Sequence, residues 1–331
     1  AVLIMGDFSS NSRKATIFGG TGFLGRYIVQ RLVRQGWIVD VITRNPNQGL
    51  FLKPLGLIGQ INLIEGNFLN HKHLRGLLKG SDVIINCVGA LHESANQNFK
   101  LLHIETPEKL AKYASDLGVG KFIHLSSIGA DERSDSYYAK TKGLGERRIH
   151  ESFPGAIILR SSVVFGAEDK FFNLFSSIAS ISPVIPIVRG QTLFQPVYVD
   201  DIASAVESLL HNDCLTSKKG IIYELGGTEI LSFRDLILKV LLQIKRKRII
   251  LDIPVWVANI MCPLVYMANK ITLNTVPLLI TRDNIKQLEK NNIVTEKMPG
   301  FKELGVSPRA MDSILPNYLN RYRPKGQFSD L

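Results

Sequence analysis

The sequence predicts an α/β protein: a doubly wound parallel sheet with a smaller, mainly helical C-terminal domain. Two observations carry that prediction. Short apolar runs alternate with segments of helical spacing from Lys14 to about Phe171, as in a parallel sheet covered on both faces. The first unit is Lys14-Ala-Thr-Ile-Phe-Gly-Gly-Thr-Gly-Phe-Leu-Gly25, a strand and a helix joined by a glycine-rich turn. Ala15 to Phe18 reads as the strand, and Phe23, Leu24, Tyr27, Ile28, Leu32 and Val33 recur on one side of the helix. Gly19, Gly22 and Gly25 allow a tight turn, close approach of the backbone to a pyrophosphate, and helix-on-strand packing. The first helical turn then offers unpaired N–H groups and a positive dipole end to an anion.

Each later element follows from its own residues. Trp37 to Thr43 is the second strand, ending in the turn Arg44-Asn45-Pro46. Ile61 to Ile64 is the third, leaving through Glu65-Gly66-Asn67-Phe68, and Asp82 to Val88 is the fourth, ending at Gly89. Helical spacing returns at Ile104 to Leu117 and at Lys140 to Phe153. Between these helices, Lys121 to Leu125 is the fifth strand and ends in Ser126-Ser127. Ala156 to Leu159 is the sixth, running into Arg160-Ser-Ser-Val-Val-Phe-Gly166. Ligands of such sheets bind at the carboxyl ends of the strands, where all of these exits fall.

Beyond Phe171 the alternation loosens. Gln195 to Asp201 predicts a short strand and then a helix with Asp200 or Asp201 as its N-cap. Ile221 to Leu225 is a further strand, and Ser232 caps a helix running to Ile244. A basic run, Lys245-Arg-Lys-Arg248, precedes the predominantly apolar stretch Ile249 to Ala268. Ile253 to Ala268 has no charged residue, but at sixteen residues with two prolines it falls short of a membrane-spanning helix. It reads either as an interfacial or partner-docking element or as an ordinary hydrophobic segment of a small second domain. The resulting division is an N-terminal arm over 1–12, a nucleotide-binding domain over 13–225 with some insertions toward the second, and a C-terminal docking domain over 226–331.

Bulk properties agree with a protein that touches a membrane or a large partner. A chain of 331 residues buries a large core. Forty basic residues against twenty-nine acidic ones, a net charge of +11, favour an acidic partner or simply reflect a basic compact protein. Three widely spaced cysteines, Cys87, Cys214 and Cys262, with no Cys-x-x-Cys, argue for a reducing compartment and against structural zinc. His71 and His73, in an expected loop with no third ligand nearby, read as surface histidines rather than a metal site. Cys87 and His124 read as core residues. The start, Ala1-Val-Leu-Ile-Met5, is too short for a signal-peptide core. Ala1 in place of Met implies removal of an initiator Met or of a longer presequence.

Two constellations carry chemistry. A ribose-binding acid is expected about twenty residues after the glycines, at the end of the second strand. Asp40 has nearly that spacing, yet Val41-Ile42-Thr43 continue the strand beyond it, and the tip residue is Arg44. A guanidinium there grips a 2′-phosphate bidentately, which favours NADP(H) over NAD(H). Asn67 and Phe68 are candidates to line the adenine. The second constellation is Ser127, Tyr138 and Lys142. The lysine stands four residues after the tyrosine, on the same helical face, where a cation lowers a phenol's pKa toward a value useful for proton transfer. Tyr137 is the competing phenol, with Thr141 four residues on.

With these residues the chain resembles the short-chain dehydrogenase/reductase superfamily in its extended or atypical branch. Gly19 to Gly25, Ser127, Tyr138 and Lys142 carry the resemblance, with Leu159 to Gly166 and Val197 to Asp201. It implies a Rossmann-type fold, a catalytic triad of Ser127, Tyr138 and Lys142, and a cofactor cradle. Candidate cofactor contacts are Gly19, Thr21, Gly22, Phe23, Leu24, Gly25, Arg44, Asn67, Phe68, Val88, Gly89, Tyr138 and Lys142. A closer resemblance rests on Phe23 to Tyr27, Lys121 to His124, Gly166 to Asn173, Gln195 to Val199, Ile280 to Asp283, Pro299 to Gly305 and Asn317 to Phe328. These segments are similar to the nucleotide-binding accessory subunit of respiratory complex I (NADH:ubiquinone oxidoreductase) and its alphaproteobacterial relatives.

That resemblance implies tightly held NADPH without turnover, and a C-terminal part docked on other complex I subunits near the quinone site. It implies a peripheral place on the inner membrane, at the mitochondrial matrix face or the bacterial cytoplasmic face. Anionic lipid suits the basic run, which lacks the interleaved aromatics of a nucleic-acid site. An active NADP-dependent reductase, dehydrogenase or epimerase is the alternative, because the triad is complete. Against it, only a short connection joins Ser127 to Tyr138, and Ser161 follows Arg160 where extended enzymes usually have proline.

Overall fold

The computed structural model describes residues 13–66, 71–91, 93, 98–212, 215, 219–260, 262–263 and 281–326. The expected arm at 1–12, the candidates Asn67 and Phe68, Cys214, and most of the apolar stretch after residue 263 lie outside the described residues. Contacts group the chain into two compact units. One takes in the described residues of Ala1–Leu125, Leu144–Leu159 and Ile202–Ile222, the other those of Ser126–Gly143, Arg160–Asp201 and Tyr223–Leu331.

The expected sheet is present. Its first strands are β1 (Lys14–Phe18), β2 (Ile38–Thr43), β3 (Ile61–Glu65), β4 (Val83–Asn86), β5 (Lys121–Ser127) and β6 (Ile157–Ser161). The chain then makes four short strands, β7 (Val164–Phe165), β8 (Val184–Ile187), β9 (Leu193–Phe194) and β10 (Val197–Tyr198), and returns as β11 (Ile221–Leu225). The sheet order is β11-β6-β5-β4-β1-β2-β3. The pairs β1–β2, β1–β4, β2–β3 and β4–β5 are parallel. Growth of the sheet reverses at β1: β2 and β3 add on one side, β4 onward on the other. The crevice outside the carboxyl ends of β1 and β4 is therefore the topological switch point, where open parallel sheets bind ligands.

Burial explains why these runs are strands. All four residues of β4 are buried, as are the last four of β1, so neither face tolerates the alternation of a half-exposed strand. Helix α1 (Phe23–Arg34) buries Gly25, Ile28, Val29, Leu32 and Val33. Phe18, Ile84 and Phe122 share a core with Leu110 and Ala114 of a second helix and Ile149 of a third. Those helices follow α2 (His71–Leu77) as α3 (Thr106–Asp116) and α4 (Tyr137–Ser152). A single π-helical turn, Lys100–Glu105, leads into α3 where the sequence suggested continuous helix. His71 and His73 lie on α2 rather than in a loop, and His73 Nε2 donates to the Glu65 carbonyl at 3.0 Å.

The second unit has its own core. Phe165, Phe172, Phe194, Leu236, Val240, Leu315 and Leu319 are buried together, on α5 (Phe171–Ile181), α7 (Phe233–Gln243), the helix Met311–Leu319 and the short strands. Phe171 packs within 5.8 Å of Phe233, centroid to centroid. Ser232 caps α7 as expected, its Oγ accepting from Asp235 N at 3.1 Å. Asp169 does the same work for α5: Oδ1 accepts from Phe172 N at 2.6 Å, while Oδ2 accepts from the Tyr318 hydroxyl at 2.7 Å. Two separate sequence motifs, around Asp169 and around Tyr318, are thus halves of one buried contact. Helix α6 (Val199–His211) corrects one expectation. It starts before Asp200 and Asp201, which therefore lie in its first turn rather than at the N-cap. There they bind Arg309, Asp200 Oδ2 at 2.6 Å from Nη2 and Asp201 Oδ1 at 2.8 Å from Nε. Carboxylates in a first turn still complement the helix dipole.

Candidate functional site

The candidate residues fall into two groups, one in each unit. In the first unit, β1 ends at Phe18 and the chain turns at once. Gly19 has φ +76°, a left-handed conformation that side chains resist, and its carbonyl accepts from Gly22 N at 3.0 Å. A Cβ at Gly25 would collide with the Gly19 carbonyl oxygen. Gly19 also lies against the backbone of Cys87 at the exit of β4, where a Cβ would come within 3.1 Å of the Cys87 carbonyl. This glycine spacing therefore closes the turn onto the switch point.

Helix α1 opens into that turn with an exposed N-terminus. Its N-cap is Gly22, with no side-chain cap, no acidic residue in the first turn, and Arg31 and Arg34 in the last. The amides of the first turn are left to an anion, and the dipole favours one. The donor set and the cradle fit a diphosphate. Thr21, Phe23 and Leu24 line the same turn, half-buried.

The tip of β2 fits the expected division between Asp40 and Arg44. Asp40 lies inside the strand, opposite Thr16 of β1 and Asn62 of β3. Its carboxylate pairs with Lys14 Nζ at 2.7 Å and accepts from Asn62 Nδ2 at 2.9 Å. Both contacts hold its carboxylate within the sheet. Arg44 follows the last residue of β2 directly and is exposed. The β4 exit is held as well: Asn86 Oδ1 accepts from Val88 N at 3.1 Å, and His103 Nε2 accepts from Ala90 N at 3.3 Å. Asn86 Nδ2 also meets His124 Nδ1 at 3.1 Å, so His124 is a bonded core residue as expected. Asn86 and His103 escaped the sequence reading. The one available signal was a polar residue within an apolar strand.

The second unit carries Ser127, at the end of β5, and Tyr138 and Lys142, one turn apart on α4. Lys142 is 5% exposed, and the competing Tyr137 is 46% exposed. Burial raises the Tyr138 phenol above its ordinary value; the Ser127 hydroxyl works against that, and the Asp283 carboxylate adds to it. The net direction is upward, opposite to the lowering expected from the spacing of Lys142. Ser127 Oγ is buried without a well-formed hydrogen bond. Arg160 of β6 meets Glu224 of β11 at 3.7 Å. Glu224 also borders a cleft of about 470 Å³, with Thr295, Met298, Phe301 and Lys302. None of the three triad residues lines that cleft.

Asp283 is the neighbour the sequence did not announce as part of this group. Its Oδ1 accepts from Tyr137 N at 2.7 Å, and its Oδ2 from Ser136 Oγ at 3.0 Å and Tyr138 N at 3.2 Å. Asn292 is a second: its Oδ1 accepts from Ser162 Oγ at 2.7 Å, and its Nδ2 donates to the Ile128 carbonyl at 3.3 Å. The motif holding Asp283 was visible, but nothing local tied it or Asn292 to the Ser127–Tyr138 segment.

Residues 15–226 match the family model described as the NAD dependent epimerase/dehydratase family. The chain is 30% identical over 323 residues to the NADH-ubiquinone oxidoreductase 40 kDa subunit, mitochondrial, of Neurospora crassa, covering 98% of this chain and 83% of the relative. It is 30% identical over 317 residues to the NADH dehydrogenase [ubiquinone] 1 alpha subcomplex subunit 9, mitochondrial, of Arabidopsis thaliana, covering 94% of this chain and 78% of the relative. Among solved structures, a dTDP-glucose 4,6-dehydratase (DesIV) from Streptomyces venezuelae superposes with a TM-score of 0.70 at 18% identity, covering 93% of this chain and 96% of that one. The last likeness shows the fold alone. A nicotinamide nucleotide is the cofactor class of the matched family, in keeping with the glycine turn. The chain belongs to the NAD dependent epimerase/dehydratase family and, within it, to the family of the NADH-ubiquinone oxidoreductase 40 kDa subunit.

Proposed function

We propose that this chain is an NADP(H)-holding accessory subunit of respiratory NADH:ubiquinone oxidoreductase, needed for assembly or stability of that complex and not for turnover. One observation carries the reading. The enzyme-family match ends at residue 226, whereas similarity to the 40 kDa subunit spans 98% of the chain. The C-terminal part is therefore shared with respiratory subunits. A nicotinamide nucleotide in solution supplies a hydride; held by this chain, it supplies binding energy to the folded state.

The surface of the second unit supports attachment at the inner membrane, on the matrix face or its bacterial counterpart, the cytoplasmic face. Ile249 and Leu251 point outward from β13 (Ile249–Asp252), which follows β12 (Leu231–Ser232) in the chain. Trp256 and Ile260, one helical turn apart at 255–260, are 67% and 60% exposed. The basic run Lys245 to Arg248 adjoins β13. Aromatic and aliphatic side chains beside lysine and arginine suit an anionic lipid surface. No helix of the described residues is long and apolar enough to cross a membrane. Other subunits near the quinone site complete the proposed environment.

The test is purification of the tagged chain from its native membranes in mild detergent, with mass spectrometry of the released nucleotide. Co-migration with NADH:quinone oxidoreductase activity and stoichiometric NADP(H) are expected. A chain that migrates free of that activity would refute the assignment. For the cofactor, Arg44→Ser should weaken NADPH binding about tenfold to a hundredfold, the range for losing a charge-assisted bond. NADH binding should be unchanged; equal loss for both would remove the 2′-phosphate role.

A second prediction separates holding from turnover. The Tyr138 phenol is raised above 10.0 in the folded chain. The folded state therefore binds that proton more tightly than the unfolded chain does. The associated stability is present below pH 10 and lost as pH rises through the folded value. In nucleotide-free protein, the alkaline difference spectrum between wild type and Tyr138→Phe should show a phenol ionising only above pH 10. A step near neutrality would instead favour an active reductase.

A further inference from the structure

We propose that Asp283 is a positioning residue for the Tyr138–Lys142 face of α4, supplied by the C-terminal segment so that nucleotide retention depends on that segment being seated. The proposal rests on the reading of the chain as a nucleotide holder.

An α-helix leaves its first N–H groups without internal partners. Helix α4 has no acidic residue in its own first turn. Ser136 supplies a local acceptor, its Oγ taking Ala139 N at 3.3 Å. The remaining acceptor comes from 146 residues away, where Asp283 takes the amides of Tyr137 and Tyr138 and the hydroxyl of Ser136 itself. A carboxylate is the side chain the helix dipole favours at this end. Tyr138 stands on the turn that Asp283 holds, and Lys142 stands on the next.

The contact belongs to a longer seam. Lys286 Nζ donates to the Asp135 carbonyl at 3.2 Å, Lys290 Nζ meets Asp131 Oδ2 at 3.3 Å, and Asn292 Nδ2 donates to the Ile128 carbonyl. One stretch of ten residues therefore meets the connection from Ser127 to Tyr138 at four places. The helix Arg282–Gln287 is itself fixed at both ends of its short length: Thr281 Oγ1 accepts from Asn284 N at 3.1 Å, and Gln287 Nε2 donates to Asp283 Oδ2 at 3.1 Å. Ile285 packs with Ala258 and Cys262. The cap is thereby tied to the helical stretch whose opposite side exposes Trp256 and Ile260. The stretch 255–260 and the first turn of α4 are thereby linked through Ile285 and Asp283.

The experiment uses the full chain and two readouts. Amide hydrogen exchange without nucleotide should show Tyr137 and Tyr138 exchanging about five- to tenfold faster in Asp283→Ala, the size of a lost helix cap. Titration with NADPH should show affinity about tenfold weaker in Asp283→Ala, and an intermediate loss in Asp283→Asn, which keeps one acceptor. In a Lys142→Gln background the Asp283→Ala loss should largely vanish, because the cap acts through that face. Unchanged exchange, unchanged affinity, or a loss that simply adds to that of Lys142→Gln would each overturn the proposal. A wild-type chain that binds no NADPH would instead remove the function reading, and the exchange measurement would still report on the cap.

Discussion

Parallel strands growing in opposite directions from β1 leave one crevice in the sheet, and the first turn of α1 opens into it. That helix end is uncapped by any side chain and carries no acid, so its amides and its dipole await an anion. Several contacts in the first unit serve the same place. Gly25 brings the helix down onto the Gly19 carbonyl, and Gly19 in turn rests on the exit of β4. Asn86 and His103 fix the backbone of that exit through Val88 and Ala90. The sheet is a frame for presenting a few N–H groups to a diphosphate.

The second unit carries the proposed triad of Ser127, Tyr138 and Lys142. Burial raises the Tyr138 phenol above its ordinary value, the Ser127 hydroxyl works against that, and the Asp283 carboxylate adds to it. The Tyr138 hydroxyl and the buried Lys142 side chain are both hydrogen-bond donors and so suit binding. The contact between Asp169 and Tyr318 and the clamp of Arg309 on Asp200 and Asp201 tie the C-terminal part into the second unit.

Legibility of the chain followed the distance over which each determinant acts. The glycine turn, the Ser232 cap and the position of Arg44 beyond Thr43 were readable because each depends on neighbours within a few residues. Asp40 lies within the strand as read, although its partners Lys14 and Asn62 come from the two flanking strands and were invisible. The start of α6 was misread because Asp200 and Asp201 look like caps locally, while their use is set by Arg309 far along the chain. Asp283 was legible as part of a motif and illegible as a cap, since the helix it serves lies 146 residues earlier. The expectation for Tyr138 failed for a related reason: spacing reports the lysine, but only the packed structure reports the desolvation.

The claim on which the account turns is that a nucleotide's diphosphate is held by the backbone at the start of α1. Amide hydrogen exchange of the full chain with and without NADPH reads this directly. Strong protection of the amides from Phe23 to Gly25, with the far end of α1 unaffected, is the predicted result. Bound NADPH that leaves those amides exchanging as in the free protein would contradict the account.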